Sequence, residues 1–179
     1  ERGDEFVNLF LVASRANVSD AFRDEFYRRT KGNALFTVEL FRYLHEHNFL
    51  TKDEAGYWVE SLEMDWNKLP AQIARLEGLI AARLEALSPE LRDILDIASI
   101  EGQDFTAQVI LHFLKLTEFD LLKTLSAELQ KKHNLVTEVR ESPVGTTILT
   151  HYRFVNATFH QYIYNDMSLG QRRLRHTEV

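Results

Sequence analysis

The segment Arg28-Arg29-Thr30-Lys31-Gly32-Asn33-Ala34-Leu35-Phe36 joins basic charge to a break in the chain. Glycine takes positive φ without steric penalty and asparagine tolerates it better than most residues, so Gly32-Asn33 reads as a helix C-cap. Asn33 also suits the N-cap of the apolar helix that follows, whose first N–H groups lack internal acceptors. A corner of this kind turns backbone donors outward, a geometry fit for a nucleotide phosphate. It is equally fit for nothing more than turning the chain. Asn156 is the second candidate, because it stands where a strand hands over to a helix and so offers an N-cap and an anion site.

Other groups fit a plainer reading. His45-Glu46-His47 invites a metal, but residues two apart do not share a helical face, so the imidazoles cannot converge on one ion. The basic run Arg172-Arg173-Leu174-Arg175-His176 could touch phosphate, yet it reads more simply as a solvated helix face. Tyr152, Phe154, Phe159, Tyr162 and Tyr164 follow strand and helix spacing, which points to core packing. The sequence contains no G-x-x-x-x-G-K-[ST], no H-E-x-x-H and no G-x-S-x-G, so it cannot by itself make the phosphate cradle of a P-loop enzyme, a zinc-protease helix or a nucleophile elbow. No catalytic residue is expected in this chain, and no metal site.

Composition narrows the class. A formal charge of −6 and 45% hydrophobic residues describe an ordinary globular chain, not a dedicated nucleic-acid binder. The absence of cysteine excludes disulfides and thiolate sites,. No apolar run reaches the roughly 18 residues of a membrane span. Asn17-Val18-Ser19 and Asn156-Ala157-Thr158 match the glycosylation acceptor pattern by chance, since no signal peptide is visible. A cytoplasmic compartment is the expectation. The chain starts without Met and ends inside a helical pattern at Arg175-His176-Thr177-Glu178-Val179, so it is read as an excised fragment.

Helices must position the candidate residues. Ser19 or Asp20 opens one carrying Phe22 and Phe26, and the next presents Phe36, Leu40, Phe41 and Leu44. Phe49-Leu50-Thr51 and Tyr57-Trp58-Val59 form a small hairpin with Gly56 at its turn. Leu69-Pro70 opens an amphipathic helix with Ile73, Leu76, Ile80, Leu84 and Leu87 on one face. Ser88-Pro89-Glu90 is a strong new start, an N-cap with proline in the first turn, and marks the domain boundary. Leu91, Ile94, Leu95 and Ala98 line that helix to Gly102; shorter helices follow at 106–114 and from the capping box Thr117-Glu118-Phe119-Asp120. Strands at 135–139 and 148–154 flank a loop at Ser142-Pro143-Val144-Gly145, and Ser168-Leu169-Gly170-Gln171 is a second capping box. The expected fold is mainly α. It comprises a helical domain with a small hairpin at 1–87 and a winged-helix domain with a two-stranded wing at 88–179. DNA binding through the helix at Thr117 is disfavoured: Glu118, Asp120 and Glu128 would face the phosphates, offset only partly by Lys123, Lys131, Lys132 and His133.

Several segments fall into the register of one family. Thr30 to Leu40, Gly56-Tyr57-Trp58, Leu69-Pro70, Ile80-Ala81-Ala82-Arg83-Leu84, Ala98 to Phe105, Tyr152 to Asn156, Phe159 to Tyr164 and the Arg172 to His176 tail occur in order along nearly the whole chain. In these the chain resembles the C-terminal half of the ATPase module of STAND-class signalling NTPases, found in bacterial transcriptional regulators and cyclase-linked ATPases. The resemblance implies that residues to about 87 are a helical lid and the remainder a winged helix. These would close on an N-terminal P-loop core, outside this sequence, around ADP or ATP with Mg. It implies a nucleotide-set switch that releases downstream partners, often tetratricopeptide repeats. It implies nucleotide contacts at Gly32, Asn33, Ala34 and Asn156, made only with the core, and no cofactor held by this chain alone. The family corner usually has proline where this chain has Ala34, and its wing junction usually has histidine where this chain has Asn156. A winged-helix DNA binder and a nucleotide-independent interaction scaffold are the alternatives.

Overall fold

A computed structural model describes residues 2–176, so of the helical pattern at the C-terminus Thr177, Glu178 and Val179 lie outside the described residues. It is mainly helical, with two small antiparallel sheets. The chain divides into two compact units, Glu1–Arg83 and Leu84–Val179, and the division falls inside one helix.

The first unit begins with α1 (Arg2–Ala13), an element absent from the sequence expectations. Its signal was present: Phe6, Val7, Phe10 and Leu11 recur at helical spacing, and Val7 and Leu11 are buried,. In α2 (Asp20–Thr30) the Ser19 hydroxyl accepts from Phe22 N–H, as its type predicts, and α3 (Ala34–Glu46) follows three residues later,. The hairpin pairs β1 (Leu50–Lys52) with β2 (Trp58–Glu60), Thr51 opposite Val59, and Gly56 turns at φ 82°. Phe22, Phe26, Leu40, Phe41, Leu44 and Leu50 form a buried core with Val7 and Leu11.

The amphipathic helix expected from Pro70 to Leu87 is interrupted. A single 3₁₀ turn spans Ala71–Ala74, Arg75 is extended at φ −127° and ψ 150°, and α4 is Leu76–Glu85. Ile73, Ile80 and Leu84 are buried all the same. The fold back at Arg75 sets the Gln72 carbonyl against Gly78 so closely that any Cβ there would collide with it. Glycine permits this approach, which periodicity does not reveal.

The second unit opens with α5 (Pro89–Glu101), whose N-cap Ser88 accepts from Leu91 N–H. Next come β3 (Asp104–Thr106), α6 (Ala107–Phe113) and α7 (Glu118–Thr124). The helix continues past α7 as a π-helical segment at Leu125–Lys132. Its wider turn brings residues four apart nearer to one line, and Leu121, Leu125 and Leu129 are all fully buried. Strands β4 (Val136–Val144) and β5 (Thr147–Phe154) form a hairpin, and α8 (Ala157–Asp166) and α9 (Leu169–His176) complete the unit.

Two expectations for this hairpin require correction. The sheet has three strands in the order β3-β5-β4, not two, because Asp104–Thr106 pairs with Arg153–His151. A three-residue strand is too short to show alternation, and Arg153 clasps it with a bidentate pair to Asp104. The hairpin also runs further than expected: Ser142, Pro143 and Val144 pair with Leu149, Ile148 and Thr147. Proline is tolerated there because β4 is an edge strand.

Candidate functional site

The corner between α2 and α3 is built by two successive left-handed residues. They are Lys31 (φ 49°) and Gly32 (φ 72°), whereas Asn33 is extended at φ −67° and ψ 117°. The helix cap is therefore Lys31, whose N–H reaches the Tyr27 carbonyl at 2.7 Å, one residue earlier than the sequence suggests. Asn33 is the N-cap of α3. Its Oδ1 accepts from Phe36 N–H at 2.9 Å, and its carbonyl accepts from the N–H and hydroxyl of Thr37. The first-turn N–H groups of Ala34 and Leu35 are the donors that helix geometry leaves over. Asn33 and Ala34 are exposed.

One side of the corner is covered. A Cβ on Gly32 would collide with the backbone of Gly3, so the first turn of α1 lies directly against it. Thr30, just before the corner, is buried, and its hydroxyl has no hydrogen-bond partner. Lys31 is exposed and stands beside the leftover donors.

At the wing junction, Phe154 N–H bonds to the Gln103 carbonyl and Val155 N–H to the Leu135 carbonyl, which fixes the exit of β5. Asn156 then caps α8: its Oδ1 accepts from Thr158 N–H at 2.8 Å and its carbonyl from Phe159 N–H. Since both asparagines use Oδ1 for capping, only their amide N–H groups are left to meet a ligand. His160, one turn on, directs Nε2 at the Ser99 carbonyl 3.0 Å away, so that nitrogen carries the proton,. Gly32, Asn33 and Ala34 come together in the first unit. Asn156 belongs to the second.

The remaining sequence candidates have structural partners. His45 stacks on Trp58 and His47 on Tyr43, so each imidazole lies against its own ring. Burial holds His45 below the usual histidine range, against the pull of Glu46. Among the described residues no cluster of three or more His, Asp or Glu side chains could hold a metal. In the basic tail, Arg172 lies over the Tyr164 ring and donates to the Asn165 and Met167 carbonyls, and Arg175 reaches Asp93. These contacts tie α9 to its own unit, which a free basic face would not do. Phe154 and Phe159 are core, as their spacing suggests.

A hollow between α7 and the β4–β5 hairpin, beside the exposed ring of Phe119, is not evident from the sequence. A large aromatic within an otherwise charged first turn was the available signal. Comparison of the chain with known protein families, curated proteins and solved structures yields no match. No helix among the described residues is long and apolar enough to cross a membrane.

Proposed function

We propose that this chain is the regulatory, non-catalytic segment of a nucleotide-switched signalling ATPase of the STAND class. The first unit is its helical lid and the second its winged helix. The observation that carries this reading is the order of elements in the second unit. Helices α5, α6 and α7 precede the β4–β5 hairpin, with β3 between the first two helices; that order of three helices and a hairpin supports the winged-helix reading. Two further features support it. Asn33 and Asn156 each cap a helix and keep amide donors for an anion,. Leu9 and Val12 on α1 are 63% and 68% exposed, an apolar face that a preceding core would cover,.

In this reading the P-loop core supplies the phosphate cradle and the Mg site. Gly32, Asn33, Ala34 and Asn156 add donor contacts only when that core is present. Nucleotide state sets how lid and winged helix pack on the core, and so whether downstream partners are released.

Calorimetric titration of the 179-residue chain with ATP and Mg tests the proposal. Weak or absent binding is expected, and tight Mg-dependent binding by this chain alone refutes it. In the full-length parent, Asn156→His is expected to tighten ADP retention, because a protonated imidazole adds charge that an amide lacks. Unchanged retention leaves Asn156 as a helix cap and nothing more.

A further inference from the structure

The wing extends beyond the helices that cover it. On β5, Tyr152 and Phe154 are buried, while Ile148, on the same face of the strand, is 56% exposed,. The pairing of β3 stops at Thr106, opposite His151, so β5 from Thr147 to Thr150 has β4 on one side only. Thr150 directs its N–H to that open side, where the Gln108 side chain accepts it at 2.9 Å in place of a strand. Ile148, two residues earlier, has the same orientation with no β3 residue opposite,.

A hollow of about 470 Å³ lies at this edge, and a second of about 380 Å³ adjoins it and shares Leu122, Glu141 and Thr150. The floor is apolar, from Leu122 and Ile148, with Phe119 73% exposed beside it. The charges are mostly one sign: Glu118, Glu138 and Glu141 against Lys123. Glu141 pairs across the strands with Thr150 and Glu138 with Tyr152, so both carboxylates lie on the helix-facing side of the hairpin. An open strand edge, an apolar floor and an acidic rim together describe the complement of a basic, apolar peptide.

We infer that the hollow between α7 and the β4–β5 hairpin docks an extended segment of a partner protein that presents both basic and large apolar residues on one face, at every second position. The segment continues the line of β3 along the open edge at Ile148. It sets its apolar side chains on Leu122 and Phe119 and its basic groups against Glu118 and Glu141. The same rim repels a nucleic-acid backbone.

Fluorescence anisotropy with a labelled short peptide in which arginine and leucine take turns at every second position, with serine between them, tests this, with a glutamate-for-arginine peptide as the control. Saturable binding of the first and none of the second is expected. Glu141→Gln should weaken binding about three-fold, as for one exposed ion pair, and Phe119→Ser about ten-fold, as for a central apolar anchor. Asp93→Asn, a carboxylate outside the hollow, should leave affinity unchanged. Absence of saturable binding overturns the inference, and so does equal weakening by Asp93→Asn and Glu141→Gln. Sedimentation showing a dimer that Phe119→Ser dissolves also overturns it, because a second copy would then be the occupant. Duplex DNA binding lost in Phe119→Ser would do the same.

Discussion

Glu39 on α3 and Arg83 on α4 form an ion pair at 2.6 Å with side chains only 5% and 9% exposed. Burial pulls the Arg83 guanidinium below its usual range, and the Glu39 carboxylate is the first influence opposing it. At an effective dielectric of about 20 and a charge separation of about 4 Å the attraction is ~4 kcal/mol, while desolvating each ion costs several kcal/mol. The intact pair therefore comes close to breaking even. Breaking it does not. Glu39→Gln keeps the shape but leaves a buried guanidinium facing a neutral amide, at a cost of roughly 3–5 kcal/mol, a large part of the ~5–15 kcal/mol that holds a domain folded. Both tryptophans of the chain, Trp58 and Trp66, lie in the first unit, with Trp66 against Phe22 at 5.1 Å. Their fluorescence during urea denaturation thus reports on that unit. With a slope of about 2 kcal/mol per molar urea, Glu39→Gln should lower the midpoint by roughly 2 M or abolish the transition. The double change Glu39→Met with Arg83→Met should recover most of the loss, because an apolar pair of similar volume suits a buried site. A shift below about 0.5 M for Glu39→Gln would refute the claim that the pair is desolvated.

Gly32→Ala should destabilise the first unit by at least about 2 kcal/mol, since it combines a left-handed alanine with a clash against Gly3; the same fluorescence midpoint measures it. Ser168→Ala removes the hydroxyl that accepts from Gln171 N–H at 3.2 Å, half of a reciprocal capping box. It should cost about 1 kcal/mol and speed hydrogen exchange at the Gln171 amide. Burial, reinforced by the nearby Glu138 carboxylate, pushes the Tyr152 hydroxyl up to about 12. The folded state therefore holds that proton more tightly than the unfolded state, so the contribution is complete below pH ~10 and is lost as pH rises through ~12. Absorbance titration should show one phenol ionising near 12 that disappears in Tyr152→Phe. The alkaline loss of about 2–3 kcal/mol should disappear with it.

The helix starts were legible because capping is local. Ser19, Asn33, Ser88, Thr117, Asn156 and Ser168 each accept a hydrogen bond from an N–H two or three residues ahead. Residue type and a following apolar run therefore sufficed to identify them. At the candidate site the asparagine caps could be read this way, whereas the left-handed residue before Gly32 could not. A lysine carries no propensity for that conformation, and Lys31 adopts it at a corner against which the first turn of α1 packs. The break at Arg75 was hidden for a related reason: Ile73, Ile80 and Leu84 keep a helical spacing across it.

The sequence by itself determined a mainly helical chain, where most helices begin, a hairpin turning at Gly56, and that the chain carries neither a P-loop motif nor a cysteine. Tertiary structure alone decided that Gly3 covers the Gly32 corner, that Asp104–Thr106 pairs with β5 of the hairpin, that Glu39 meets Arg83, and that β5 has an open edge beside Phe119. The physical reason is range. Caps and turns are settled by hydrogen bonds within a few residues, whereas backbone contact, strand addition and buried charge pairing join positions 29 to 49 residues apart in the sequence.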